Sequence, residues 1–129
     1  MQQKKKVRYN VPMKTHTGGC QCGKVRYEAE LDLETTVINC NCSICEKHGL
    51  LLTFIPVDSF KLTAGEDNTT EYRFHKEKIT HHFCKTCGVE THGSGSGPEG
   101  TGMAAVNVRT VDDVDLSALD LKPYDGKSL

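Results

Sequence analysis

CQCGKVRYEAEL, residues 20–31, carries two signals at once. Val25, Tyr27, Ala29 and Leu31 alternate with Arg26, Glu28 and Glu30, the period-2 pattern of a strand with one buried face. Directly before that alternation stand Cys20 and Cys22, separated by one residue. On extended chain, residues i and i+2 project from the same face, so these two sulfurs can be aimed at one point.

Outward from this stretch, the chain keeps reading as β-structure. TVINC (36–40), LLLTFIPV (50–57) and MAAVNVRTV (103–111) are short, apolar or β-branched, and bounded by turn formers. EYRFH (71–75) and KITHHFC (78–84) flank a charged turn in the manner of a hairpin. AGEDN (64–68) and GSGSGPEGTG (93–102) read as breaks, the second as a mobile Gly/Ser-rich loop. One short helix is expected at SICEKHG (43–49), and no internal repeat is visible. The fold class is therefore all-β or β-dominated. A chain of 129 residues suits a single domain, placed at 16–129 after an N-terminal extension, 1–15, whose Lys4, Lys5 and Lys6 read as a solvated tail.

Composition narrows the function. Only 36% of residues are hydrophobic and Trp is absent, so something besides apolar burial is expected to help hold the fold. Lys plus Arg (16) nearly balances Asp plus Glu (17), which removes the basic excess of a nucleic-acid binder. The basic N-terminus runs into no apolar segment and no run of about 18 apolar residues follows, so neither secretion nor membrane insertion is expected. Seven cysteines without a signal peptide point to a reducing, cytoplasmic setting, where thiols more often hold metal or do chemistry than form disulfides.

The cysteines fall into three knots: Cys20 with Cys22, then Cys40, Cys42 and Cys45, then Cys84 with Cys87. Zinc takes four ligands in a tetrahedron, so seven divide as four plus three. Spacing alone allows Cys42, Cys45, Cys84 and Cys87 to form the closed set, or Cys20, Cys22, Cys84 and Cys87. The second division is preferred, because three thiols within six residues share a metal without closing a long loop.

The segments GGCQCGKVRYEAE (18–30), CNCSICEKHG (40–49), HHFCKTCGVETHG (81–93), AVNVRTVDDVDL (105–116) and YDG (124–126) resemble, in order, the glutathione-dependent formaldehyde-activating enzyme family, which is related to centromere protein V. The resemblance implies an Mss4-like fold, with antiparallel sheets around zinc-binding cysteine knots. It also implies two zinc ions per chain: a structural one on Cys20, Cys22, Cys84 and Cys87, and an open, labile one on Cys40, Cys42 and Cys45. The activity it implies is a carbon–sulfur lyase reaction joining a small thiol such as glutathione to a small aldehyde, formaldehyde, to give S-hydroxymethylglutathione. The competing class is a noncatalytic zinc module that carries a thiol or binds a protein.

The chemistry of the trio follows from its ligands. Three thiolates leave a zinc unit at a formal charge of about −1, a weaker Lewis acid than zinc on three imidazoles, so hydrolysis is not its natural task. A fourth, incoming sulfur suits it better, held as thiolate where a free thiol of pKa about 8.5 is mostly protonated. In that scheme Cys40, Cys42 and Cys45 serve the reaction as ligands rather than as nucleophiles. His48, His81 and His82 lie close enough in sequence to serve as a fourth ligand or proton shuttle, with a supporting or surface position the more ordinary use. Lys47 stands beside the trio, where it can offset negative charge or hold a carboxylate, while Asn107 and Arg109 carry no assigned role. No GxSxG turn supports a Ser–His–Asp reading.

Overall fold

The computed structural model describes residues 14–33, 37–73, 79–96 and 102–125. Among them are ten strands and one α-helix: β1 (Lys14–Gly19), β2 (Arg26–Leu31), β3 (Val37–Cys40), α1 (Ser43–His48), β4 (Leu52–Pro56), β5 (Phe60–Ala64), β6 (Thr69–Tyr72), β7 (Ile79–Cys84), β8 (Glu90–Ser96), β9 (Gly102–Asn107) and β10 (Leu121–Tyr124). They form a three-stranded sheet, β1-β2-β5, and a seven-stranded sheet, β10-β3-β4-β9-β8-β7-β6. The helix is too short to cross a membrane.

The alternation in residues 24–31 becomes β2, with Tyr27, Ala29 and Leu31 buried and Glu28 and Glu30 exposed. These apolar side chains meet Ile55, Ala104, Val106 and Val111 in a core that draws on both sheets. Each large side chain buried here contributes about 1.5–3 kcal/mol. At the edge of this core Tyr27 Oη shares a 2.7 Å hydrogen bond with Thr110 Oγ1. β1 runs so close over this corner that a Cβ on Gly18 would fall 2.4 Å from the same hydroxyl. The opposite face of the large sheet carries a second cluster, in which Leu50, Leu52 and Ala105 pack with Cys45 of α1. β9 thus has buried residues on both faces and places the trio's helix against the sheet.

Several expectations are corrected. Gly93–Ser96 is not a break: it belongs to β8, paired in register with Met103–Ala105 and Gly102 of β9. Space does not force glycine there, since a Cβ on Gly93 would meet Ile79 at 3.4 Å, an ordinary van der Waals contact. The rest of that expected loop, 97–101, lies outside the described residues. MAAVNVRTV stays extended only to Asn107, whose side chain accepts from the Arg109 N–H and turns Val108–Thr110 into a 3-10 helix. Four strands had no counterpart in the reading: β1, β5, β8 and β10. The sheets are antiparallel apart from one pair, β10 beside β3, which is parallel. β6 and β7 do pair as the expected hairpin, with Tyr72 opposite His81, and the turn predicted between them lies at 74–78, outside the described residues.

Candidate functional site

Cys20, Cys22, Cys84 and Cys87 converge, their sulfurs all within 4.8 Å of one another. Cys22 Sγ lies 3.6 Å from Cys20 Sγ and 3.7 Å from Cys84 Sγ. A tetrahedron with bonds of about 2.3 Å sets its corners about 3.8 Å apart, so this donor set fits a four-coordinate zinc. The two turns that deliver the sulfurs are built alike. Cys20 N donates to Val25 O at 3.0 Å and Cys84 N to Val89 O at 3.1 Å, while Gly23 N and Gly88 N return to the carbonyls of Cys20 and Cys84. Both glycines are left-handed, at φ 83° and 81°, a conformation a side chain would strain.

Backbone N–H groups and one side-chain amide also point at the sulfurs. Thr86 N, Cys87 N and Asn68 Nδ2 lie 3.3–3.4 Å from Cys84 Sγ, and Val25 N lies 3.3 Å from Cys20 Sγ. Burial pushes the Cys84 thiol up, but the N–H groups of Cys87 and Thr86 outweigh it and bring it down to about 6. Cys22 goes the other way, to about 11: the Lys24 N–H lowers it, and this is outweighed by burial and by hydrogen bonds shared with the three neighbouring sulfurs. Adjacent thiolates repel, so one ionises easily at its neighbours' expense; a bound cation relieves that conflict.

Cys40, Cys42 and Cys45 form the second cluster, again with all sulfurs within 4.8 Å, and no histidine or carboxylate of the described residues joins them. Cys40 ends β3, Cys42 is the residue that caps the N-terminus of α1, and Cys45 lies buried in its first turn. Cys42 N approaches Cys40 Sγ at 3.4 Å. Burial raises the Cys42 thiol, but the N–H groups of Cys45 and Ile44, with the neighbouring thiols, lower it overall. Cys45 is pushed far up, by burial first and then by Cys42 and Cys40. Three donors that fit a tetrahedral metal leave one position open.

That open cluster borders a recess of about 280 Å³, lined by Cys40, Asn41, Cys45, Glu46, Gly49 and Arg109 among others. Arg109 donates Nε to Gly49 O at 2.6 Å, and among the described residues no carboxylate pairs with its guanidinium. Its mount is Asn107, which is buried: Oδ1 accepts from Arg109 N at 3.3 Å and Leu51 N at 3.4 Å, and Nδ2 donates to Glu90 O at 2.9 Å.

Glu90 is itself buried, with 2% of its side chain exposed, and stands between two histidines. Oε1 meets His48 Nδ1 at 2.8 Å and Oε2 meets His81 Nδ1 at 2.7 Å. A register shift in the β7–β8 pairing, where Phe83 opposes Glu90 and His82 opposes His92, leaves Thr91 as an extra residue and turns Glu90 toward the helix side. His82 stacks on His92 with ring centres 4.4 Å apart and planes 8° apart, and bonds Ser94 Oγ at 2.8 Å. Burial, reinforced by His82, holds the His92 imidazolium down to about 3.

The sequence model of the family described as glutathione-dependent formaldehyde-activating enzyme matches residues 15–124. The chain belongs to that family. The fold agrees with a solved relative, a Rhodobacter sphaeroides protein whose crystal structure matches with a TM-score of 0.70 at 28% identity, over 82% of this chain and 99% of the other.

In this family member the structure brings together both cysteine groups named from the sequence, divided four and three. Of the three histidines, His48 and His81 share Glu90 on the helix side, while His82 is engaged on the other face with His92. None joins a cysteine cluster. Lys47 is exposed, with no hydrogen bond or ion pair among the described residues, and Arg109, not Lys47, lines the recess. Glu90 and His92 went unread. A lone glutamate opening β8, the strand after the His81–His82 pair of β7, was the available signal for the first.

Proposed function

We propose that this protein is a zinc-dependent enzyme that adds a small thiol to a small aldehyde and runs the reverse carbon–sulfur cleavage. Glutathione and formaldehyde are the substrates its family suggests. The observation that carries the reading is a cluster of three, not four, sulfurs opening on a recess of about 280 Å³. A module that used metal only for structure or protein binding has no need of that space, and among the described residues nothing of the chain caps the trio.

In this reading two zinc ions bind per chain. Cys20, Cys22, Cys84 and Cys87 hold the structural one, joining turns about sixty residues apart in a domain spanning 16–129. Cys40, Cys42 and Cys45 hold the other, which when bound supplies a soft Lewis-acidic position where an incoming sulfur stays a thiolate at neutral pH. The chain's own residues then do the selecting. The recess takes the body of the thiol, Arg109 offers its free N–H groups to a carboxylate, and Glu46 on the same lining faces an ammonium. One charge of each sign suits a zwitterionic head group such as that of glutathione. Cys45, buried against Leu50 and Leu52, keeps water from the inner side of the cluster. The protein works in the cytoplasm, where its thiols stay reduced.

The test uses fully zinc-loaded protein with glutathione and formaldehyde. Adduct formation is expected to run well above the uncatalysed rate and to be abolished in Cys42→Ser with the fold retained. Thiol binding without acceleration would replace the enzyme with a thiol carrier.

A further inference from the structure

We propose that the C-terminal strand is the clasp of the three-sulfur site: Tyr124 and Asp125 hold Asn41, the residue between Cys40 and Cys42, and so position two of the three metal ligands. The proposal rests on the reading of the trio as a metal site.

The three sulfurs are not held alike. Cys45 is buried with Leu50, Leu52 and Ala105, while Cys40 and Cys42 are half-buried at the margin of that cluster. Cys40 ends β3, a strand whose register with β4 is, among the described residues, the single pair Ile38 and Leu52. On its other side β3 pairs with β10 along its whole length, from Val37 beside Leu121 to Cys40 beside Tyr124. The strand that carries the first ligand is therefore aligned chiefly by β10.

β10 gains little from packing. All four of its side chains are exposed, Leu121 by 40% and Tyr124 by 49%. Main-chain bonds hold it instead: Val37 N donates to Asp120 O at 2.9 Å at one end, and Asn41 N donates to Tyr124 O at 3.0 Å at the other. Pro123 has no N–H to pair, which suits the outermost strand of a sheet. It lines the recess together with Asn39, Cys40 and Asn41. A strand that buries so little and ends beside the ligands is placed to serve the site rather than the core.

The last grip is on the Asn41 side chain. Its Nδ2 donates to Asp125 Oδ1 at 3.1 Å, across 84 residues of sequence. Asn41 is where the chain leaves β3 for α1, and the bend there brings Cys42 N to 3.4 Å from Cys40 Sγ. Holding both the backbone and the side chain of the residue between two ligands sets how their sulfurs face one another, whether or not metal is bound. Outer partners of this kind change metal affinity by about 10–100-fold. Tyr124 and Asp125 belong to the YDG stretch, 124–126, and this gives that stretch its role at the site.

The test uses the full chain, with cobalt titrated against a competing chelator and with amide hydrogen exchange. In the unmodified protein about two cobalt ions should bind per chain, and the Asn41 amide should exchange slowly even with the trio empty. Asn41→Asp sets two carboxylates against each other. It should weaken cobalt at the trio about tenfold and speed that exchange, while the four-sulfur spectrum and the melting temperature stay unchanged. By charge alone a carboxylate at this position would favour a cation, so weakening reports the clasp. Combining Asn41→Asp with Asp125→Asn again sets a donor facing an acceptor and should recover most of the affinity. Trio affinity that is unchanged or higher in Asn41→Asp, weakening that the second substitution does not reverse, or a fast-exchanging Asn41 amide in the unmodified protein would each overturn the clasp. Binding of only about one cobalt ion per chain by the unmodified protein would instead overturn the metal reading of the trio, and the clasp with it.

Discussion

The two cysteine clusters share a ligand type and differ in almost everything else. The set of four gathers two turns about sixty residues apart and offers four sulfurs, the number a tetrahedral metal takes. The set of three comes from six consecutive positions at a strand–helix junction and borders open space. What separates a closed site from an open one is thus neither the metal nor the thiol but how much chain must be folded to complete it. In the proposed two-zinc reading, the first cluster staples a modest core and the second is expected to empty without loosening it.

The sharpest way to break this contrast is to remove one ligand from each cluster. Cys84→Ser or Cys87→Ser should leave no soluble folded protein, because the metal energy lost, about 10–16 kcal/mol for structural zinc, exceeds the 5–15 kcal/mol that holds a typical domain. Cys42→Ser should keep a cooperative melt, lowered by no more than a few degrees. Circular dichroism melts read both, and equal unfolding would erase the distinction. Graded chelation tests the same point without mutation. Metal content should fall from about two ions per chain toward about one while the far-ultraviolet spectrum holds, whereas loss of all metal together with the fold in one step would contradict it.

How much of this could be read in the sequence depended on whether the signal was local. Tyr27, Ala29 and Leu31 announce their strand because alternation is a property of neighbours, and the grouping of Cys40, Cys42 and Cys45 that loop length favours is one the structure brings together. Gly93–Ser96 misleads for the same reason: glycine and serine signal a turn locally, yet Gly93–Gly95 pair across the sheet with Met103, Ala104 and Ala105, which lie about ten residues on. LKPY of β10 is an exposed edge strand, and its parallel partner β3 lies some eighty residues earlier, so no pattern within it shows pairing. Glu90 is hidden for a stricter reason. A carboxylate is buried only when its partners arrive, and these lie 42 and 9 residues away.

Smaller effects sharpen the contrast at the recess. Arg109→Ala should weaken binding of a carboxylate-bearing thiol about tenfold while leaving a bare alkyl thiol unchanged, since a charge-assisted hydrogen bond contributes about 1.5–3 kcal/mol before solvent screening. Lys47→Ala should change neither. Calorimetric titration of each variant with the two thiols reads the difference, and equal weakening for both thiols would show that Arg109 only shapes the helix end.

The smallest effect separates the sheet interior from both clusters. His92 is held neutral by burial, with its pKa lowered to about 3. The unfolded chain therefore takes up that proton first: stability from this group is level above about pH 6.5 and declines as pH falls from there toward 3, by at most about 1.4 kcal/mol per pH unit. His92→Phe should flatten that limb by about one proton in urea melts between pH 6.5 and 5. An unchanged slope would assign acid sensitivity to the cysteine sites instead.

The most direct measurement of the central claim is a thiol titration of the cobalt-substituted protein followed by visible absorption. An open three-sulfur site predicts that glutathione changes the spectrum with saturation at one thiol per chain, that an alcohol analogue of the same shape changes nothing, and that Cys42→Ser abolishes the response while the four-sulfur signature remains. A spectrum unmoved by any thiol in fully metal-loaded protein would contradict it.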